Sequence, residues 1–242
     1  MTSYGSVDRT QLVQAKEWLD ALDVPYLAIP GNHDLGAYPW RGQQYPDSEH
    51  YHPGPWESTH FASVFCQPPL VTAVLGPMRV IGLALREGDP DGVLDALDRE
   101  LDWSSMPTIL FSHYPLAPVR AEGVLSSFGS EDYIPQSARR LLELVQAHPE
   151  IVLYAAGHVH AVSVSPLPRR PLQLTAGGLG PGPSQWWLYH VTDTELLYES
   201  RLGAGPLTFW DRFLQDDSIS LQYHWEFHAG QRGLLAYRES LT

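Results

Sequence analysis

Apolar positions recur at helical spacing through Leu12, Ala15, Leu19 and Leu22, and the spacing predicts an amphipathic helix from Asp8 to Leu22. Asp8 and Gln11 at its start resemble a capping box. The run Val24 to Ile29 is apolar and is stopped by Pro30-Gly31, so it reads as a short buried strand. A helix feeding a strand opens the chain as an α/β protein. Residues 35–55 are rich in Gly, Pro, Tyr and Trp and read as a long surface loop.

A short helix is expected over Glu57 to Phe65. Two apolar runs, Leu70–Leu75 and Met78–Leu85, flank Gly76-Pro77 and predict a hairpin. Pro90 to Leu101 is helical, with Val93, Leu94, Leu97 and Leu101 on one face. Thr108 to Phe111 is a strand, Pro135 to Ala147 a helix, and Ile151 to Ala156 a buried strand. Strand-like segments follow at Ala161–Val164, Leu172–Thr175, Gln185–Val191, Glu195–Arg201, Ser218–His228 and Gly233–Arg238. With no repeat and no clear linker, residues 1–242 read as one mixed α/β domain. Its motifs fall in 1–180, and 181–242 is β-rich.

Composition narrows the function classes. The chain of 242 residues is long enough for one well-buried core, and no run of eighteen apolar residues is present to span a membrane. The net charge of −13 argues against broad nucleic-acid binding, because a phosphate backbone rewards Lys and Arg. It does not forbid a phosphate substrate, since bound cations reverse the local field. Cys66 is the sole cysteine, which excludes an intrachain disulfide and a thiolate-rich metal site. Together with the lack of a signal peptide, this leads to an expected cytoplasmic location. Oligomeric state is not legible.

Three histidine-bearing turns share one design. Pro30-Gly31-Asn32-His33-Asp34, Ser112-His113-Tyr114-Pro115 and Gly157-His158-Val159-His160 each follow an apolar strand. Ligands of open α/β sheets gather outside the carboxyl ends of strands, so the three turns would converge on one crevice. Imidazole nitrogen suits Zn, Mn or Fe, and an Asn amide oxygen is a hard co-ligand. Alternation in Gly-His-x-His puts two imidazoles on one side of an extended segment. Taken singly, each turn has a plainer reading. A His at a strand end is commonly a hydrogen-bonded residue, Gly31 can simply allow a tight turn, and Asn32-His33-Asp34 can be an Asx-type turn. Their conjunction, in this order, points to a metal centre.

GNHD around Asn32-His33-Asp34, FSHYPL around His113 and GHVH around His158-Val159-His160 resemble the later motifs of the calcineurin-like metallophosphoesterases, in order and spacing. The resemblance covers about residues 10–180 and looks closest to the cyclic-nucleotide phosphodiesterase-like branch. It implies a four-layer α/β/β/α sandwich, here lacking its first strands. It implies that Asn32, His113 and His158 ligate the second of two divalent ions (Mn, Fe or Zn), and that His160 ligates the first. His33 would stabilise charge on the scissile phosphate or protonate the leaving oxygen, with Asp34 orienting it. The two ions, about 3.5–4 Å apart, would share the hydroxide that attacks phosphorus. The implied function is hydrolysis of a small phosphoester, a phosphodiester or cyclic nucleotide being slightly favoured.

The family pattern opens with Asp-x-His and then Gly-Asp, whose aspartate bridges the ions. No Asp-x-His occurs in the chain, and its one Gly-Asp pair, Gly88-Asp89, lies after the GNHD motif and ahead of a helix. Met1 to Ser6 resembles the connection that follows Gly-Asp in relatives, so the expectation is a truncated or mis-assigned start. At most one weakly bound ion is expected in this chain. The rival expectation is a non-catalytic remnant or binding module that keeps the fold and has lost the first-metal and bridging ligands.

Other features carry less. The aromatic stretch Tyr38–Trp56 reads either as a lid over the site or as a packed surface loop. Gly177–Gly182 lacks the Lys-Ser/Thr of a phosphate loop and reads as a loop near the site. His224 and His228 on an aromatic strand read as structural, and Trp186, Trp187 and Trp225 as packing or interface residues.

Overall fold

The computed structural model describes residues 8–35, 55–119, 134–158, 162–169, 171–176, 185–202 and 232–237. Helix α1 spans Arg9–Asp20, and its N-cap Asp8 accepts from the Thr10 amide at 3.0 Å. It ends two residues short of the expected Leu22, which is exposed. The expected strand over Val24–Ile29 has no ladder partner among the described residues. Pro25 and Pro30 have no N–H to donate, and the Ala28 carbonyl is taken by the Gln67 side-chain amide. The segment instead lays Ile29 against the sheet. A Cβ added to Gly82 would meet Ile29 Cγ2 at 2.8 Å and Phe111 Cζ at 2.6 Å, so only glycine permits this approach.

After α2 (Asn32–Leu35), a single 3-10 turn at Trp56–Ser58 leads into α3 (His60–Phe65). Strands β1 (Leu70–Leu75) and β2 (Met78–Leu83) form the expected hairpin, antiparallel with Leu75 opposite Met78. Then come α4 (Val93–Asp102), β3 (Thr108–Ser112), α5 (Pro135–Ala147), β4 (Ile151–Ala156), β5 (Ser163–Pro166) and β6 (Leu172–Thr175). Strands β7 (Gln185–Val191), β8 (Glu195–Leu202) and β9 (Arg232–Ala236) are the last among the described residues. The expected strand over Ser218–His228 lies outside the described residues, as do the Met1–Ser6 connection, most of the 35–55 loop and Gly177–Gly182.

Two sheets result. The first runs β1-β2-β3-β4-β6-β5, with β2, β3, β4 and β6 parallel and the two edge strands antiparallel. Alternation along each strand sorts its side chains. Leu110 and Tyr154 face α4 and α5, joining Leu94, Leu97, Leu101, Leu141 and Val145 in one core. Ile109, Leu153 and Leu174 face the other way, onto Leu196, Tyr198 and Tyr237 of the antiparallel β7-β8-β9 sheet and the residue after it. Trp187 ties the sheets together, its indole N–H donating to the Thr175 carbonyl at 2.8 Å. The described residues thus stack as helices, sheet and sheet, which bears out the mixed α/β reading. A separate small core joins Leu12 of α1, Phe61 and Phe65 of α3, Trp56, Ala28 and Ala84 beyond the end of β2. Trp56 is therefore a core residue, its indole donating to the Gln67 carbonyl at 2.8 Å.

Gly88-Asp89 has a structural task. The Asp89 carboxylate accepts from the amides of Val93 at 2.8 Å and Leu94 at 3.0 Å, capping α4. At the other end of that helix, buried Arg79 donates to the carbonyls of Glu100 at 2.7 Å and Ser104 at 3.2 Å. A cation is favoured there because the last carbonyls of a helix carry negative partial charge.

Candidate metal centre at the strand ends

The parallel strands β3 and β4 are neighbours and end side by side, so the residues just beyond them meet. His113 follows β3 and His158 lies two residues beyond β4. His158 Nδ1 lies 2.9 Å from His113 Nε2, and Asn32 Oδ1 lies 2.7 Å from the same Nε2. Three of the four expected metal ligands, from three separate turns, therefore close on one point. His160 lies outside the described residues.

Each residue is placed by its neighbours. Gly31 backs the His113 ring: a Cβ there would stand 2.7 Å from Cε1 and 2.9 Å from Nδ1. The glycine is demanded by that close approach. The Gly31 amide donates to Asp34 Oδ2 at 2.9 Å, and the amides of Asp34 and Leu35 donate back to the Gly31 carbonyl at 3.0 and 3.2 Å. Asp34 is 1% exposed and organises the turn that presents Asn32. His33 is exposed.

On the second turn, Gln173 reaches across from β6. Its side-chain oxygen accepts from the amides of Leu116 at 2.7 Å and Ala117 at 2.9 Å, and its nitrogen donates to the Ala117 carbonyl at 3.0 Å. The Tyr154 hydroxyl donates to the Tyr114 carbonyl at 2.7 Å, and burial pushes that phenol well above its usual range, so it remains a neutral donor. The Gly157 amide donates to the His113 carbonyl at 3.0 Å, locking the second turn to the third. His158 itself has φ +64°, a left-handed conformation that side chains other than Gly, Asn and Asp adopt at a cost. The Tyr114 ring stands edge-on to both imidazoles, with centroids 4.8 Å from each. Sequence reasoning missed Gln173 and Tyr114. A glutamine inside the apolar run Leu172-Gln173-Leu174 was the available signal, because a buried amide must find partners.

The chemistry of the donor set fits a cation. His113 Nε2 can carry one proton, yet it faces two acceptor-capable atoms, Asn32 Oδ1 and His158 Nδ1. Two imidazoles and an amide oxygen would hold a borderline divalent ion without any thiolate.

Such donors, gathered where neighbouring parallel strands end, describe an α/β protein with a candidate metal crevice at its strand ends. The chain is matched over residues 5–162 by the family described as Calcineurin-like phosphoesterase, and it belongs to that family. By family it is a metallophosphoesterase, a hydrolase of phosphoric esters that uses divalent metal ions. Among solved structures, it is similar to a dimetal phosphatase from Danio rerio, with 14% identity over 80% of this chain and 74% of that one and a TM-score of 0.56. That likeness supports the fold. Weaker similarity links it to a Vps29 double mutant from Entamoeba histolytica, with 12% identity over 59% of this chain and 56% of that one and a TM-score of 0.27. Vps29 from Chaetomium thermophilum is comparable, with 12% identity over 72% of this chain and 60% of that one and a TM-score of 0.29. No curated protein matches the chain. Among the described residues, no helix is long and apolar enough to cross a membrane.

Proposed function

We propose that the crevice binds a divalent cation through Asn32, His113 and His158 and acts on a small phosphoester, a phosphodiester or cyclic nucleotide being favoured. The observation that carries this reading is the approach of Asn32 Oδ1 and His158 Nδ1 to His113 Nε2, at 2.7 and 2.9 Å. His160 would contribute to a first-metal position. Bound cations of this kind neutralise phosphate charge and lower the pKa of a bound water. The chain's own side chains do the positioning. Asn32 and the two imidazoles would hold the cation, while exposed His33 stands next to Asn32 in sequence and would donate a proton to a leaving oxygen. Asp34 holds the turn that carries His33, and the reading extends its role to orienting that imidazole.

A second reading has its own support. The 242 residues contain no Asp-x-His, and Asp89 of their one Gly-Asp pair spends its carboxylate on the α4 cap. The bridging and first-metal carboxylates are thus not supplied, and hydrolysis by these residues alone would be slow, as in a binding module. The net charge of −13 supports a small-molecule substrate over nucleic acid, and a single unpaired Cys66 is compatible with a cytoplasmic address. Metal-dependent hydrolysis of bis(p-nitrophenyl) phosphate tests the choice. Turnover that requires added Mn2+ and is lost in His33→Ala supports the enzyme; one bound ion with no turnover supports the binding module.

A further inference from the structure

A second gathering of ligand-type side chains sits at the opposite end of the sheet, where β3 and β4 begin. Asp98 and Asp102 lie four residues apart on α4, so their carboxylates share a face. His148, the C-cap of α5, has an extended backbone that takes it out of the helix. One ligand atom from each of Asp98, Asp102 and His148 lies within 4.8 Å of the others.

An imidazole with a chosen orientation distinguishes this place from an ordinary acidic surface. Glu150, whose side chain is 9% exposed, places Oε1 2.9 Å from His148 Nδ1. That carboxylate makes Nδ1 the protonated nitrogen, and Nε2 then points at Asp98 Oδ1, 3.2 Å away. In a neutral ring, the Nε2 lone pair opposes a carboxylate oxygen. Among the described residues, no Lys or Arg pairs with Asp98, Asp102 or Glu150. A cation placed at Nε2 would turn the facing lone pair and carboxylate oxygen into joint ligands.

We infer that Asp98, Asp102 and His148 form a binding site for a borderline divalent cation, best suited to Zn2+, with Glu150 orienting His148 from behind. Imidazole nitrogen and carboxylate oxygen are both ligand types that Zn2+ accepts, and a carboxylate on the far ring nitrogen is the usual support of a ligating imidazole. The exposure of Asp98 and Asp102 leaves a position for water. A bound ion would clip the end of α4 to the α5-β4 turn, far from the crevice, and the site is independent of any hydrolytic role. Hard ions such as Mg2+ favour oxygen donors and would compete poorly.

Zn2+ titration of the full chain by calorimetry tests this. Asp98→Asn/Asp102→Asn, at exposed positions that spare the core, is expected to bind one Zn2+ equivalent fewer than wild type. Glu150→Gln is expected to weaken that equivalent roughly 10-fold, and millimolar Mg2+ to leave it in place. His158→Ala should remove the strand-end equivalent instead, so the two centres are read separately. If Asp98→Asn/Asp102→Asn binds the same number of ions at unchanged affinity, His148 is a protonated clamp between carboxylates and the proposal is overturned.

Discussion

Gly31 and His113 are in mutual contact across 82 residues of chain, the glycine leaving the space in which the imidazole lies: a Cβ would come within 2.7 Å of the ring. The neighbouring Asn32 can then bring its amide oxygen to 2.7 Å from Nε2 of the same ring. Gly31→Ala should therefore push His113 aside without unfolding the chain. Cation affinity at the strand ends is expected to fall about 10-fold or more, by analogy with displaced supporting groups elsewhere. Titration with Mn2+ checks it, and an unchanged affinity would show that the contact does not position the ligand.

Gln173 satisfies two amides and one carbonyl of the turn after His113. Gln173→Leu leaves those buried groups without partners, at about 1–3 kcal/mol for each one that water cannot reach. A loss of about 3 kcal/mol in urea unfolding is expected, accompanied by weaker cation binding. A loss below about 1 kcal/mol would mean that water replaces the amide.

Asp89 separates capping from catalysis. Asp89→Ala should cost about 1 kcal/mol of stability through loss of the α4 cap. Cation affinity should be unchanged, because the carboxylate faces the amides of Val93 and Leu94. A drop in ion binding would give Asp89 the bridging role denied to it here.

Tyr154 sets an alkaline limit. Its folded pKa is raised by burial, so the unfolded phenol, which titrates near 10, releases its proton first. The stabilisation is complete below about pH 10 and is lost as pH climbs above it. Tyr154→Phe should cost about 1 kcal/mol at neutral pH, for the hydrogen bond to the Tyr114 carbonyl, and should flatten the decline above pH 10. Unfolding curves across pH 8–11.5 would show whether the wild-type slope exceeds that of the variant.

Much of this arrangement was legible from periodicity and punctuation. Gly76-Pro77 marked the hairpin, and Leu94, Leu97 and Leu101 marked the buried face of α4. The turns bearing Asn32, His113 and His158 were readable because apolar strands end just before two of them and motif order supplied the third. What failed was Val24–Ile29, whose apolar composition says strand while its prolines and the Gln67–Ala28 contact leave it outside any ladder. Composition reports burial tendency; pairing depends on what lies alongside. The partners of Gln173, whose polarity inside an apolar run was the available signal, and the contact of His148 with Asp98 were not legible for a related reason. Gln173 lies 57 residues from Leu116, and His148 lies 50 from Asp98, so tertiary packing alone brings them together.

The central claim is that Asn32, His113 and His158 hold a cation jointly. Equilibrium dialysis of the full chain against Mn2+, with metal counted by atomic emission, tests it most directly. Wild type should retain one equivalent more than His113→Ala, and also one more than His158→Ala. The Asp98→Asn/Asp102→Asn variant should keep that equivalent. Equal retention by wild type and both histidine variants would contradict the account.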